Sequence, residues 1–319
     1  MTIRYAKTSD AGDVEVICHT AFCKTSIDTD IRLSASGGDY LYRYYAKRAI
    51  EHYPGNCLIA ERSGHLAGFI IFGTDADMGK RIGKKIANII LLAVAPADQG
   101  RGIGSRLVRA VLEYFRTHRF SLIYVGTDAD NTAALRTYER NGFHTVLNWG
   151  TFRRYGLQPT DGENPLDTKT LDVDIEKRLS AYDITRTHSF FFDHHLPLEK
   201  VRAHNLAFIA REAEKKAIAV YELLHNRKPA GFFSLRTDGW LTEFTGTRFS
   251  RIDDCHIVPE CRENAVIVRA AVDHAVRTTC ASADVLEAWS ALNRFSYIDG
   301  LTANGFSFIH AASVLHLWL

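Results

Sequence analysis

The residues best suited to chemistry in this sequence are the glycines of the segment 94–104, which reads Val-Ala-Pro-Ala-Asp-Gln-Gly-Arg-Gly-Ile-Gly. An apolar stretch precedes this segment, and a stretch with helical periodicity follows it. Glycines allow the backbone to approach a ligand closely, and the first turn of a helix offers unpaired N–H groups and a positive dipole end. The segment therefore predicts a binding loop for an anion, and the anion that we expect is a pyrophosphate.

Two common nucleotide-binding motifs do not fit this loop. A Walker loop would end in Gly-Lys followed by Ser or Thr, whereas this loop ends in Gly-Ile-Gly at residues 102–104. A dinucleotide fingerprint that begins at Gly100 and Gly102 would need its third glycine at position 105, which is occupied by Ser105. The loop therefore indicates a different class of phosphate-containing ligand.

A second segment, residues 131–143, reads Asn-Thr-Ala-Ala-Leu-Arg-Thr-Tyr-Glu-Arg-Asn-Gly-Phe. Together with Gln99-x-x-Gly102-x-Gly104, it resembles the two signature segments of the GNAT superfamily, the acyl-CoA-dependent N-acetyltransferases. The resemblance implies a mixed α/β fold and acetyl-CoA as the co-substrate, with no metal. The alternative is a glycine turn before an ordinary surface helix, followed by an unrelated helix end at Gly142; it requires both motifs to occur in the right order by chance.

The same resemblance assigns roles to individual residues. Backbone N–H groups near Val94 would polarise the thioester oxygen, and Tyr138 would act as the general acid that protonates the leaving thiolate. A phenol with a pKa of about 10 can protonate a thiolate with a conjugate pKa of about 8.5 in a small uphill step. The alternative for Tyr138 is an aromatic residue that only packs. The residues implied to contact acetyl-CoA are Ala93, Val94, Gln99, Gly100, Arg101, Gly102, Ile103, Gly104, Ser105, Asn131 and Ala134.

The general base is left open by the sequence. Glu61, Asp128, Asp130 and His144 lie near the expected site, but surface charge and helix capping explain them equally well. Water can also relay the amine proton. Asn131 is expected to cap the helix that follows it.

Four cations form a basic cluster outside the two motifs. Lys80, Arg81, Lys84 and Lys85 are expected in a loop between two strands. There they would either contact phosphates of a ligand or form a solvated hairpin tip.

Composition indicates a globular protein of two domains. The chain has 319 residues, 46% hydrophobic content and 24% charged content, which is ample for a core. Residues 1–150 have 19 basic against 15 acidic side chains and the remainder 20 against 22, so neither half is typical of a nucleic-acid binder. No run of eighteen apolar residues and no secretory leader is evident, and the six cysteines lack metal spacing. We therefore expect no membrane association, reduced thiols and a cytoplasmic location.

The strongest organisational feature is an internal repeat with an offset of 163 residues. Val-Ala-Pro at 94–96 corresponds to Ile-Val-Pro at 257–259, Ala-Gly-Phe at 67–69 to the same letters at 230–232, and Asn-Gly-Phe at 141–143 to 304–306. Three landmarks in one register predict two copies of one domain. We expect a first domain at 1–155 with the intact loop, a linker at 156–178 and a degenerate copy at 179–319. The chain is expected to be either a monomer, in which the two repeats form a pseudo-dimer, or a homodimer.

Periodicity predicts the elements of the first copy. Helices are expected over 9–19, 40–52, 102–117 and 131–140. Strands are expected over 56–61, 65–73, 86–94 and 122–125, with a last strand from Phe143. The fold class is α/β (α+β mixed), two tandem GNAT-like domains that each form a mixed twisted sheet flanked by helices.

The second copy departs from the pattern at the expected site. Its loop register reads Arg-Glu-Asn-Ala-Val-Ile at 262–267, without glycine and with Glu263 placed to repel a pyrophosphate, and Leu301 replaces Tyr138. Its histidines His188, His194, His195 and His204 do not have the spacing of a metal site. The segment Ser189–Lys200 resembles the dTDP-fucosamine acetyltransferase branch of the superfamily, with a weaker counterpart at Phe22–Leu33. That resemblance implies an amino-sugar acceptor.

Two classes of function follow from these features. The first is an enzyme that acetylates a primary amine of a small molecule, with a protein or peptide N-acetyltransferase as the runner-up. The second is a sensor that binds acyl-CoA without turnover. The presence of both the loop and Tyr138 favours the enzyme, since a sensor needs no general acid.

Overall fold

A computed structural model describes residues 1–22, 30, 38–158, 162–182, 184, 193 and 195–319 of the chain. The chain forms two compact units. The first contains residues 1–146 and 312–319, and the second contains residues 147–311. The predicted domain limits at 155 and 179 stay a prediction.

The first unit has a mixed sheet. Only β4 and β5 run parallel, and the other paired neighbours run antiparallel. The strand order is β1-β2-β3-β4-β5-β12, in which β12 contributes its residues 312–318. These strands are β1 (Thr2–Tyr5), β2 (Cys57–Arg62), β3 (His65–Thr74), β4 (Ile86–Val94), β5 (Leu122–Asp128) and β12 (Ser307–Trp318).

Five helices of the described residues belong to this unit, and they cover both faces of its sheet. They are α1 (Ala11–Ala21), α2 (Gly38–His52), α3 (Ala76–Ile82), α4 (Ile103–Thr117) and α5 (Thr132–Glu139). Helix α4 buries the predicted stripe that includes Leu107, Val111 and Phe115 against Phe72 and Val125 of the sheet. The opposite face packs against α1 and α2 in a separate cluster.

The expectation that all four cations at residues 80–85 lie in a loop was wrong for Lys80 and Arg81, whereas Lys84 and Lys85 do lie in the loop before β4. Lys80 and Arg81 belong to α3, which begins where the Asp75 side chain accepts a hydrogen bond from the Met78 amide and ends at Gly83 with φ 76°. The N-cap at Asp75 and the C-cap at Gly83 thus delimit a seven-residue helix. Of the two lysines after it, Lys85 donates to the His118 carbonyl at 3.0 Å.

The second unit repeats this order. Its sheet runs β6-β11-β10-β9-β8-β7, and only β10 and β11 are parallel. The strands are β6 (His144–Tyr155), whose residues from 147 belong to this unit, β7 (Asp167–Thr170), β8 (Ala219–His225), β9 (Lys228–Asp238), β10 (Phe249–Ile257) and β11 (Val285–Ala291). The helices are α6 (Ile175–Leu179), α7 (Leu198–Glu214), α8 (Gly239–Thr245), α9 (Pro259–Arg262), α10 (Ala265–Thr279) and α11 (Phe295–Ala303).

The predicted repeat is confirmed element by element. An offset of 163 residues carries β4 onto β10, β5 onto β11 and α3 onto α8 without a shift of either end. It also carries β6 onto β12. The fold class predicted from the sequence is therefore the observed one.

The described part of the chain gives further findings that bear on function. Cys18, Cys57, Cys255, Cys261 and Cys280 are all free thiols. Among the described residues, no helix is both long and apolar enough to cross a membrane.

Candidate functional site

Strands β4 and β5 separate before β4 ends. Their pairing runs from Ile86 and Leu122 to Ile89 and Val125, whereas β4 stays paired with β3 as far as Val94. The Ala95 amide donates to the Ala67 carbonyl of the β3 side at 2.9 Å. Because successive amides of a strand point to opposite sides, the Val94 N–H faces the gap between β4 and β5.

The glycine loop begins at the end of β4. Gly100 and Gly102 adopt φ of 74° and 73°, a left-handed conformation that favours glycine, as predicted for a tight loop. A Cβ built at either position would meet no atom within 4 Å, so the space in front of both glycines is open. Gly104 differs, because its Cβ would lie 3.7 Å from Thr137 Cγ2, an ordinary contact that an alanine would also make.

Helix α4 starts at this loop without a side-chain cap. Its N-cap residue is Gly102, which has no side chain to accept from the first amides of the helix. The N–H groups of the first turn have no partner within a helix. The loop and helix therefore present backbone donors and the positive end of the helix dipole to the open space.

A buried carboxylate fixes the start of the loop. Asp98 is 2% exposed and accepts from Arg62 Nη1 at 2.8 Å and from His65 Nε2 at 2.7 Å. His65 first, and Arg62 second, hold the pKa of the Asp98 carboxyl below its ordinary value. Next to it, Gln99 Nε2 donates to the Val94 carbonyl at 3.2 Å. The sequence analysis missed Asp98, and its only sequence signal was an acid placed between Pro96 and the glycines.

Tyr138 lies in the apolar core of the first unit. It is 4% exposed, and its ring meets Phe143 edge to face at a centroid distance of 5.7 Å. Burial raises the pKa of the Tyr138 phenol above its ordinary value, because desolvation penalises the phenolate. The Tyr138 ring therefore does pack in the core, and its role as a general acid stays a prediction.

Helix α5 lies next to the first turn of α4. The Asn131 side chain accepts from the Ala134 amide at 3.1 Å, which is the expected helix cap. Asn141 Nδ2 donates to Ser105 Oγ at 3.0 Å and so joins the end of α5 to the first turn of α4. The sequence analysis did not foresee this contact.

The four candidate bases are in different environments. Glu61 accepts from Arg4 Nε at 2.7 Å, and His144 is exposed at the start of β6. Asp128 ends β5, beyond the last residue that pairs with β4. Desolvation first, and the neighbouring Asp130 second, raise the pKa of the Asp128 carboxyl. Of the four, Asp128 has the position and the raised pKa that best suit proton transfer at the gap.

The second unit fills the corresponding positions with its own side chains. Arg294 is the counterpart of Asn131, and its Nη2 donates to the Cys255 carbonyl of β10 at 2.8 Å. Its guanidinium lies 4.7 Å from the centre of the Tyr297 ring. Asn264 caps the first turn of α10 by accepting from the amides of Val266 and Ile267, at 3.0 and 3.4 Å. No free cradle for a pyrophosphate is left at this place in the second unit.

The histidines of the second unit can be followed only in part. His188 and His194 lie outside the described residues, as do Ser189–Phe192. His195 Nδ1 lies 2.8 Å from Asp193 Oδ1, and His204 is buried in α7. Within the described ranges, no group of three or more His, Cys, Asp or Glu side chains could hold a metal ion.

Solved structures share the fold of the whole chain. A GCN5-related N-acetyltransferase from Sphaerobacter thermophilus is 14% identical, covers 99% of this chain and 95% of its own, and has a TM-score of 0.60. A tandem GNAT protein from the clavulanic acid biosynthesis pathway is 13% identical, covers 99% and 98%, and has a TM-score of 0.53.

Curated relatives match part of the chain. The mycothiol acetyltransferase of Sanguibacter keddieii is 36% identical over 89 residues, 28% of this chain and only 28% of that protein. The L-methionine sulfoximine/L-methionine sulfone acetyltransferase of Salmonella typhimurium is 27% identical over 45% of this chain and 80% of its own. N-alpha-acetyltransferase 30 of Schizosaccharomyces pombe is 30% identical over 129 residues, 40% of this chain and 79% of that protein.

The sequence model of the Acetyltransferase (GNAT) family matches residues 25–143, a range that contains the glycine loop, α4 and α5. With the relatives above, this match agrees with the resemblance carried by the two sequence motifs. The chain belongs to the GNAT family of acetyltransferases.

Proposed function

We propose that this chain is an N-acetyltransferase that transfers the acetyl group of acetyl-CoA to a primary amine of a small molecule. The observation that carries the proposal is the geometry of the first unit. Gly100 and Gly102 open a loop onto the uncapped start of α4, directly beside the gap between β4 and β5. A pyrophosphate on the loop would leave the thioester end of the ligand to enter that gap.

The residues around the gap support a direct transfer. The Val94 N–H would donate to the thioester oxygen as negative charge develops on it. The amine nitrogen bonds to the carbonyl carbon, the carbon–sulfur bond breaks, and the sulfur leaves as a thiolate that takes the phenolic proton of Tyr138. The amine loses its own proton to water or to a carboxylate such as Asp128. Asn131 and Ala134 would line the pantetheine arm.

The burial of Tyr138 sets the energetic terms of this step. For ordinary pKa values, transfer from a phenol to a thiolate is uphill by about 1.5 pKa units, or about 2 kcal/mol. Burial adds to this, because it disfavours the phenolate. The thiolate is itself poorly solvated in a closed gap, which raises its basicity and offsets part of the cost.

The acceptor is proposed as a small molecule for two reasons. Two relatives are named for small molecules, mycothiol and methionine sulfoximine or sulfone. The segment Ser189–Lys200 resembles the dTDP-fucosamine branch and makes amino sugars the first acceptors to test. The yeast N-alpha-acetyltransferase favours a peptide N-terminus as the second candidate.

The experiment is an acceptor screen with acetyl-CoA and detection of free thiol. Amino sugars, aminoglycosides, amino acids and short peptides serve as acceptors, and Gly102→Glu serves as the inactive control. Acetylation of a small amine by the wild type alone supports the proposal. Turnover with peptides only would replace the small-molecule acceptor, and binding of acetyl-CoA without turnover of any acceptor would favour the sensor.

A further inference from the structure

The carboxylate before the glycine loop is held by two side chains from one hairpin, Arg62 and His65. Arg62 is the last residue of β2 and His65 the first residue of β3, and only Ser63 and Gly64 separate them. Their contacts to Asp98 use both carboxylate oxygens, at 2.8 and 2.7 Å. An ionised carboxylate only accepts hydrogen bonds, so His65 Nε2 carries the proton in this contact.

The three side chains differ in exposure in a way that matters. The Asp98 side chain is 2% exposed, whereas those of Arg62 and His65 are 38% and 52% exposed. An ion pair between exposed partners contributes little. A buried carboxylate that loses its partners must instead keep an uncompensated charge or move toward water. Removal of the Arg62 and His65 side chains is therefore expected to displace the turn that carries Asp98.

That turn leads directly into the glycine loop. Residues 96–98 form a short 3₁₀ turn, and Gly100 follows two residues after Asp98. Gln99, between them, donates to the Val94 carbonyl. The backbone between β4 and α4 is thus held by the contacts of Asp98 and of Gln99. A shift of Asp98 would therefore move the backbone amides near Gly102.

The charge of Arg62 has a second effect on the loop. The Asp98 carboxylate lies in the chain next to a loop that is expected to hold a pyrophosphate. Uncompensated, its negative charge would repel that ligand. Arg62 supplies a permanent positive charge that offsets it.

The second unit supplies an independent comparison. At the offset of 163 residues, the counterparts of Arg62, His65 and Asp98 are His225, Lys228 and Cys261. None of these is a carboxylate, so the contact cannot form there. The contact of Arg62 and His65 with Asp98 is therefore present in the copy that keeps the glycines and absent from the copy that has lost them.

We propose that Arg62 and His65 are positioning residues for acetyl-CoA: they hold Asp98, and through it the glycine loop, in the shape that receives the pyrophosphate. This inference rests on the function proposed above. Neither residue is placed in contact with the ligand or the reacting atoms. The expected signature is a change in affinity for the ligand with an unchanged rate of the chemical step.

The test uses the full chain and the double variant Arg62→Ala/His65→Ala, which removes both donors. The Kd for coenzyme A, from calorimetry, should rise about tenfold or more, because a buried charge loses both of its hydrogen bonds. The KM for acetyl-CoA should rise in parallel while kcat stays the same. Hydrogen exchange of the amides at 99–105 should become faster in the ligand-free protein.

Two further variants separate positioning from general stability. Arg62→Lys keeps the charge and should retain most of the affinity. Arg4→Ala is the matched control: Arg4 forms an equally short ion pair, 2.7 Å from the mostly buried Asp10 of the same unit, and its side-chain hydrogen bonds go to Glu61, Tyr5 and Asp10 rather than to the loop. It should lower Tm and leave the Kd for coenzyme A unchanged.

The outcomes are distinct. If the wild type binds coenzyme A and the double variant binds it equally well, the positioning role is wrong, whatever the exchange data show. If the double variant loses affinity only as far as Arg4→Ala does, the effect is one of general stability and the inference also fails. If the wild type binds no coenzyme A, the proposed function itself falls.

Discussion

Gly102 offers the sharpest test of the loop. Its φ of 73° and ψ of 13° are left-handed, a conformation that costs an alanine about 1–2 kcal/mol. In the ligand-free protein an alanine loop can relax, and the conformation must then be restored when the ligand binds. The Kd of Gly102→Ala for coenzyme A should therefore rise about 5- to 30-fold, since 1.4 kcal/mol corresponds to tenfold.

A larger side chain at the same position should have a larger effect. The open space in front of Gly102 is where the pyrophosphate is expected, so Gly102→Glu adds both atoms and a negative charge there. Binding should be abolished. Calorimetry with coenzyme A measures both variants, and thermal unfolding shows whether they are folded.

Matched controls come from the second unit. Gly246 has φ 67° with no atom within 4 Å of a built Cβ, so Gly246→Ala carries the same backbone strain far from the loop in sequence. Ala265 is the counterpart of Gly102, and Ala265→Glu tests the charge. Both should leave the Kd unchanged. Wild-type affinity in Gly102→Ala and Gly102→Glu alike would refute the assignment of this loop.

Three other expectations follow from the site and the fold. Tyr138→Phe should lower kcat by roughly 10²–10⁴-fold with little change in the Kd for acetyl-CoA, and unchanged turnover would remove Tyr138 from the mechanism. Burial raises the pKa of Tyr138, so folding favours the neutral phenol. This contribution to the free energy of unfolding is present below pH 10 and is lost above it. In paired denaturant titrations, the wild type should therefore lose more stability than Tyr138→Phe between pH 10 and 11. A fragment of residues 1–155 lacks the segment Ala312–Trp318 that pairs with β5 and should aggregate or lose acceptor affinity, whereas a monomeric, fully active fragment would show that this strand is dispensable.

Periodicity predicted most elements of the first unit because their apolar faces are regular. The strand 86–94 has the predicted bounds, and helix 102–117 was expected one residue early. Helix α3 was missed because seven residues hold too little periodic signal, and its caps, Asp75 and Gly83, also suit a turn. The sequence showed the two capping residues but could not distinguish a short helix from a turn between them.

Partners distant in sequence were beyond prediction. The apolar run at 314–319 indicated surface that needs covering, but nothing in it identifies β5 as the strand that it pairs with. Asp98 could be read as a surface acid until the hairpin at 62–65 was seen beside it. The loss of the glycines predicted that the second copy lacks a ligand site, whereas its filling by Arg294 was visible only in the structure.

The stoichiometry of acetyl-CoA binding tests the central claim most directly. We propose one ligand-binding loop per chain, in the first unit. At the corresponding position of the second unit, Arg294 donates to the Cys255 carbonyl and Asn264 caps the helix. Calorimetry of the full chain with acetyl-CoA should give one site per chain, and Gly102→Glu should abolish it while Ala265→Glu retains it. Two equivalent sites, or one site that survives Gly102→Glu, would contradict the account.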